Sequence, residues 1–272
     1  MTDEGSRRSA WPVERMPPLG WRLEHFVTIG STNDVARERA VAGDPGRLWI
    51  VADEQTKGRG RLGRTWTSPQ GNLYASALLI DPAPIARASE VGFVAGLALH
   101  RAVADLGGRD FFLKWPNDLI WRGAKAAGLL AEGVALSGGG FACVMGIGVN
   151  CTVAPEGAPY PVASLSSALD RTVAPVELFE RLAQRFDEAL ATWRAGEGFA
   201  EIRAPWLKAA VGIGAPIRIS GADGGRSGIF ETIDSRGRLL LRREGRLEII
   251  EAGDVNLLNE HADGDAARKA AG

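Results

Sequence analysis

The run Gly58-Arg59-Gly60-Arg61-Leu62-Gly63-Arg64-Thr65-Trp66 sets three glycines among three arginines and closes on an indole. Glycine lets backbone N–H groups approach an anion, and arginine supplies charge that does not titrate, so the segment reads as an oxyanion cradle. It satisfies G-x-G-x-x-G and nearly satisfies a P-loop, but both motifs must open directly into a helix whose N-terminus receives phosphate. Here Thr67-Ser68-Pro69-Gln70-Gly71 lead into a strand, and Arg64 stands where a P-loop needs lysine. Both readings fail on context. A solvated arginine loop without function is the bland alternative, and the combination with three glycines and a tryptophan argues against it.

Lys114-Trp115-Pro116-Asn117-Asp118 is the second signal: a strand ends in a proline turn that offers a cation, an amide and a carboxylate from a rigid edge. Standing alone it would equally be an ordinary Pro-Asn-Asp turn capped by its own side chains. Lys125 follows a hairpin turn and precedes Ala126-Ala127-Gly128, so its amine is expected to reach a narrow cleft floored by backbone. Asn150 closes Gly146-Ile147-Gly148-Val149, either to read a base edge or only to end a strand. His25, His100 and His261 have no partner at metal or triad spacing and read as structural. Trp193 and Trp206 sit among apolar neighbours and read as packing.

The elements that must hold these groups follow from periodicity. Strands are expected at Trp21 to Val27, Leu48 to Ala52, Leu73 to Ile80, Phe111 to Trp115 and Phe141 to Val149, with a hairpin of Leu119 to Trp121 and Ala126 to Ala131 about Arg122-Gly123-Ala124. Ser31-Thr32-Asn33 offers N-caps for a short helix through Ala36 and Ala40 that stops at Gly43. Val91, Val94, Ala95, Ala98, Leu99, Ala102 and Val103 mark a buried helix closed by Gly107-Gly108. Another begins near Pro175 and presents Leu178, Leu182, Phe186, Leu190 and Trp193. After Gly212 the pattern turns to short strands at Ile217 to Ser220, Ile229 to Ile233, Leu239 to Leu241 and Leu247 to Ile250, with turns at Gly224-Gly225, Gly237 and Gly245. The fold class expected is α+β: a mixed sheet flanked by helices over 21–210, then a small SH3-like β-barrel over 211–260. Residues 1–20 and 261–272 lack apolar periodicity and read as mobile ends.

Composition bounds the function. The 272 residues are 45% apolar, enough for a substantial core, and 32 Lys+Arg nearly cancel 33 Asp+Glu, so no field of one sign advertises an extended nucleic-acid or membrane surface. Cys143 and Cys151 have no CxxC or Cys/His spacing, which excludes a structural zinc or a disulfide framework and fits a reducing cytosol. The charged N-terminus lacks an apolar signal core, and no stretch is long enough to span a bilayer, so a cytoplasmic protein is expected.

Ser31-Thr32-Asn33, Gln55, Gly58 to Trp66, Lys114 to Asp118, Lys125 to Gly128 and Gly146 to Asn150 occur in the order and approximate spacing of bacterial biotin protein ligases, which the chain resembles from about Glu24 to Asn150. That resemblance implies a class II synthetase-like catalytic domain followed by the SH3-like domain. It implies that biotin reacts with ATP to give biotinyl-5'-AMP, from which biotin passes to a lysine of a carboxyl carrier protein. Ser31, Thr32, Asn33, Gln55 and the backbone of Gly58, Arg59 and Gly60 would hold the ureido ring, with Gly128, Leu129 and Lys125 beside the thiophane and valeryl chain. Trp66 would stack on adenine, with Asn117 and Asn150 at its polar edge. Arg59, Arg61, Arg64, Lys114 and Lys125 would surround the carboxylate and phosphates; Mg2+ would arrive with ATP and not at a dedicated protein site. Asp118 would orient or deprotonate the carrier lysine. Repressor ligases of this family carry a winged helix-turn-helix of about 60 residues ahead of the catalytic domain, whereas about thirty residues precede Ser31, so no DNA partner is expected. A homodimer is compatible with an exposed sheet edge. The alternatives are a lipoate ligase or octanoyl transferase, whose acyl pockets do not explain the polar residues before Gly58, and a noncatalytic biotin or nucleotide sensor.

Overall fold

The computed structural model describes residues 11, 17–220 and 225–258. The expected mobile tail 261–272, His261, Gly224 and most of residues 1–20 lie outside the described residues.

A seven-stranded sheet forms the larger layer: β1 Arg22–Ile29, β2 Leu48–Gln55, β3 Leu73–Ile80, β4 Phe111–Lys114, β5 Asp118–Trp121, β6 Ala124–Ala135 and β7 Phe141–Val149, in the order β1-β2-β3-β7-β6-β5-β4. Only β1 and β2 run parallel; every other neighbouring pair is antiparallel. Strand β3 is central and buried almost throughout, as its run of apolar and small residues requires. The β5–β6 turn places Arg122 (φ 46°) and Gly123 (φ 82°) at its centre, so both central residues are left-handed, and Ala124 already belongs to β6.

Helix α1, Thr32–Val41, covers one face of the sheet through Ala36 and Ala40, which pack on Leu48, Ile50, Leu78 and Val144. The opposite face carries the main core. There α2 Glu90–Asp105 and a long helix at Pro175–Trp193 pack against one another and bury Trp49, Phe179, Phe186 and Trp193. Trp11 belongs to this core as well: although it falls within the expected mobile end, it is buried, lies stacked on His25 and donates to Asp53.

Two helices are absent from the sequence expectations. A short α3, Leu165–Leu169, is capped by the Ser164 hydroxyl, and α4, the long helix just named, is followed by α5 Phe199–Ala209, which contains Pro205. The C-terminal unit is a five-stranded antiparallel sheet of β8 Pro216–Ser220, β9 Arg226–Ile233, β10 Leu239–Arg243, β11 Arg246–Ile250 and β12 Asp254–Leu257, in the order β11-β10-β9-β8-β12. It has its own interior, with Ile217, Phe230, Ile233, Leu239 and Leu241 fully buried. Several contacts fasten it to the larger layer, among them Trp115 Nε1 donating to Gly237 O at 3.0 Å, Arg203 Nε to Ile233 O at 2.8 Å, and Val211 N to Leu113 O at 2.9 Å.

Candidate active site

Register alone lines up the floor of a cleft. Tyr74 of β3 pairs with Gly148 of β7, Gly148 with Gly128 of β6, and Gly128 with Asp118 of β5, so one row crosses four strands. Gly146 lies in the next row, between Ser76 and Leu130. The glycines leave room that other residues occupy from above. A Cβ on Gly148 would fall 2.6 Å from Trp66 Nε1, and one on Gly146 would fall 2.4 Å from Asn33 Oδ1. The resulting cleft is lined among others by Ser31, Thr32, Asn33, Gln55, Arg61 and Lys125.

At one end sits a buried polar knot. Gln55 Oε1 accepts from Thr32 N at 2.8 Å and from Thr32 Oγ1 at 3.1 Å, while Gln55 Nε2 donates to Ser68 Oγ. Ser76 Oγ lies 2.7 Å from Thr32 Oγ1 and 2.6 Å from Asn33 Oδ1, so its single proton serves one at a time. Asn33 Nδ2 donates to Glu132. These groups are prepositioned donors and acceptors in a cleft whose wall also includes Gly128, Leu129 and Ile147, the usual construction of a small-molecule site.

The Gly/Arg segment folds over the cleft as a narrow hairpin: Trp66 N donates to Gly58 O at 3.0 Å and Gly60 N to Arg64 O at 2.7 Å, with Arg59 and Thr65 bridged. It contains a single 3-10 turn, Arg61–Gly63, and runs on into β3, so neither a dinucleotide fingerprint nor a P-loop is formed. Its arginines go to different places. Arg59 makes two 2.7 Å bonds to Asp34 in the first turn of α1, and this pairing holds the Asp34 carboxyl below the usual range. Arg61 Nη1 donates to Asn117 Oδ1 and to Gly253 O, both at 3.2 Å, and Arg64 pairs with Asp254 at the start of β12. Trp66 lies against Gly128 and Gly148, with its indole N–H buried and unpartnered.

Lys125 reaches the cleft through an irregularity. In a regular strand residues three apart face opposite sides, yet the Lys125 side chain lies beside Gly128, its Cε 3.2 Å from where a Cβ on that glycine would stand. The β5–β6 register slips between Leu119 and Ile120, which pair with Ala127 and Lys125, and the extra residue, Ala126, reverses the alternation. Lys125 Nζ meets Asp118 Oδ1 at 2.7 Å as an ion pair without hydrogen-bond alignment. It also lies 5.4 Å from the Trp66 ring centre and 5.5 Å from that of Tyr160.

Three candidates, Lys114, Asn150 and Gly58, lie outside the cleft wall. Lys114 lines an adjoining cavity with Asp118, Lys125, Tyr160 and Asn256, and Asn150 is buried just past the end of β7, where Nδ2 donates to Ala163 O and Oδ1 has no hydrogen-bond partner. Asn117 does line the cleft, but its amide donates to Leu129 O at 2.7 Å and accepts from Arg61, so it braces the wall. Gly58 is packed under the hairpin, where a Cβ would strike Trp66 O at 2.4 Å. Sequence reasoning missed Tyr160 and Asp254, which line the cleft from a loop and from β12. No motif surrounds either one. Burial pushes the thiols of Cys143 and Cys151 up to about 11 and about 12, so neither is poised as a nucleophile. Among the described residues no three His, Cys, Asp or Glu side chains gather as a metal site, and no helix is long and apolar enough to cross a membrane.

Residues 26–150 match the model of the Biotin/lipoate A/B protein ligase family, and residues 212–258 match that of the Biotin protein ligase C terminal domain. The chain is 38% identical over 236 residues to the Biotin--[acetyl-CoA-carboxylase] ligase of Paracoccus denitrificans, spanning 83% of this chain and 96% of that relative. Two solved structures are similar. The biotin protein ligase from Aquifex aeolicus in complex with biotin and ATP shares 26% identity, with a TM-score of 0.74 and coverage of 88% of this chain and 99% of that one. The Leishmania major enzyme in complex with biotinyl-5-AMP shares 27% identity, with a TM-score of 0.59 and coverage of 85% and 98%.

Proposed function

The chain belongs to the biotin/lipoate A/B protein ligase family, and from that premise we infer that the glycine-floored cleft is where biotin and ATP react. It is a biotin–[acetyl-CoA-carboxylase] ligase: it forms biotinyl-5'-AMP and pyrophosphate and then passes biotin to a carrier protein. The observation that carries the site reading is the polarity of the cleft. One part of its wall is a knot of uncharged donors and acceptors, and another gathers Arg61, Arg64 and Lys125 with Asp118 and Asp254 as their counter-charges.

The knot fits the ureido ring, whose oxygen needs donors and whose two N–H groups need acceptors; Ser31, Thr32, Asn33 and Gln55 carry both kinds. Gly128, Gly146 and Gly148 let Trp66, Lys125 and Asn33 settle against the sheet and so set the room left between them for the thiophane, and Leu129 borders the valeryl chain. A carboxylate oxygen of biotin then attacks the α-phosphorus, and the bond to pyrophosphate breaks. Two anions must meet for this, so Lys125, Arg61 and Arg64 act by neutralising charge as it moves onto the leaving group. Lys114, in the adjoining cavity, extends that field toward the outer phosphates. Arg59, tied to Asp34, contributes through its backbone, and Asn117 and Asn150 hold walls in place. Trp66 takes the adenine ring on its free face. Mg2+ comes bound to the triphosphate.

In the second step the neutral amine of the carrier lysine attacks the acyl carbon and AMP leaves. Asp118 orients that amine or takes its proton once Lys125 shifts toward the adenylate. We place the enzyme in the cytoplasm with carboxylase carrier domains as partners, and a homodimer through an outer strand of the sheet belongs to the same proposal. The test is incubation with Mg-ATP, biotin and a biotin-carrier domain, read as intact mass on the carrier lysine. Wild-type protein labels the carrier with biotin and not with lipoate, and Lys125→Ala slows labelling about a hundredfold or more. Labelling at full rate by that variant would remove Lys125 from the reaction.

A further inference from the structure

Lys125 is held on three sides, by Asp118 at 2.7 Å, by the Trp66 ring at 5.4 Å and by the Tyr160 ring at 5.5 Å. An ammonium within about 6 Å of an aromatic face is attracted by the ring quadrupole, most strongly where water is thin. The two rings differ in what holds them. Trp66 rides on the Gly/Arg hairpin, and the site reading assigns its other face to a nucleotide that comes and goes. Tyr160 stands on the segment that is stitched to β6 on both sides of Lys125: Lys125 N donates to Pro161 O at 2.8 Å and Ala163 N to Lys125 O at 3.0 Å. The backbone that carries Tyr160 is therefore tied to that of Lys125 whatever the hairpin does.

Its location gives that fixity a use. Tyr160, Lys125 and Asp118 each line both the main cleft and the adjoining cavity of about 890 Å³ that contains Lys114 and Asn256. With Arg64, Asn117 and Asp254, which also line both, they form the partition between the two spaces. Without a wall on that side, the flexible lysine stem is free to swing into the second cavity, away from Gly128 and the main cleft. We propose that Tyr160 is a positioning residue for adenylate formation, whose ring keeps the Lys125 ammonium in the cleft when Trp66 turns to the nucleotide. The inference rests on the assignment of the cleft given above.

The test is single-turnover pyrophosphate release as a function of biotin concentration for the full chain and for Tyr160→Leu and Tyr160→Phe, with Tyr160→Gln as a second non-aromatic variant should the leucine fail to fold. Loss of the ring is expected to lower the maximal rate about tenfold while the biotin KM stays within about twofold, and the phenylalanine variant should keep the wild-type rate. A phenylalanine variant as slow as the leucine one would overturn the proposal, because the hydroxyl would then be the agent. So would a raised KM at unchanged rate, or slowing confined to transfer onto the carrier. Absence of biotin-dependent pyrophosphate release by the wild-type protein would instead bring down the cleft assignment, and this inference with it.

Discussion

The floor of the cleft and the hairpin above it are both built on glycine, for opposite reasons. On the floor, Gly146 and Gly148 are strand residues in rigid register whose missing Cβ atoms are replaced by Asn33 and by the Trp66 indole. In the hairpin, Gly63 has φ +72° and nothing within 4 Å of where a Cβ would stand, so its value is the backbone angle and not the space. The floor excludes a side chain; the tip of the hairpin at Gly63 requires a conformation, while Gly58 at its base again excludes a side chain. One region thus sets which molecule fits, and the other sets when the site is shut. Lys125 belongs with the floor, since a bulge in a strand presents it, while Arg61 and Arg64 belong with the hairpin and are held by the C-terminal sheet.

If that division is right, damage to the two regions separates in kinetics. The largest effect is expected from Gly146→Val, which thrusts a branched side chain into the position of Asn33: adenylate formation should fall about a hundredfold, read as biotin-dependent pyrophosphate release. Near-normal formation in that variant would mean that the slot over the floor is not the acyl site. Arg61→Gly breaks the other half. It removes the bonds to Asn117 and Gly253 O that tie the hairpin down, so adenylate should form and then escape, measured as free biotinyl-5'-AMP about tenfold above wild type. Unchanged retention would show that the hairpin is not the lid. The smallest change is expected from Asp254→Asn, which leaves Arg61 and Arg64 without their carboxylate. Such partly exposed pairs contribute on the order of 1 kcal/mol or less, so a rise of a few-fold at most in adenylate loss is expected, fading as salt is added.

Most of the fold was legible because its strands carry strong patterns: β3 and β7 end where the sequence says they should, as does the start of the long helix at Pro175. The misses have physical causes. Helix α5 contains Pro205 and follows a kinked stretch through Gly196 and Gly198, signals that argue against a helix until Trp206 is seen packed into the core. Strand β12 buries only Val255, too little to register as a pattern. In the site, the cleft residues Ser31, Gln55, Arg61, Trp66, Asp118 and Lys125 could be named because they sit in compact motifs. Tyr160 and Asp254 could not, since each is brought in by pairing between distant segments and nothing local marks it. Lys114 and Asn150 share motifs with cleft residues, yet Lys114 lies on the outermost strand beside the adjoining cavity and Asn150 is buried past the end of β7.

The bond from Trp115 to Gly237 bears on how such proteins can be recombined. Gly237 is left-handed, at φ +77°, and a Cβ there would lie 2.3 Å from Phe93, while its carbonyl receives the indole of the same Trp-Pro-Asn-Asp turn that presents Asn117 and Asp118 to the cleft. The C-terminal sheet is therefore not an interchangeable module, even though the chain changes character cleanly near Gly212. A chimera joined at that point inherits a working seam only if the donor supplies a glycine turn to meet Phe93 and Trp115.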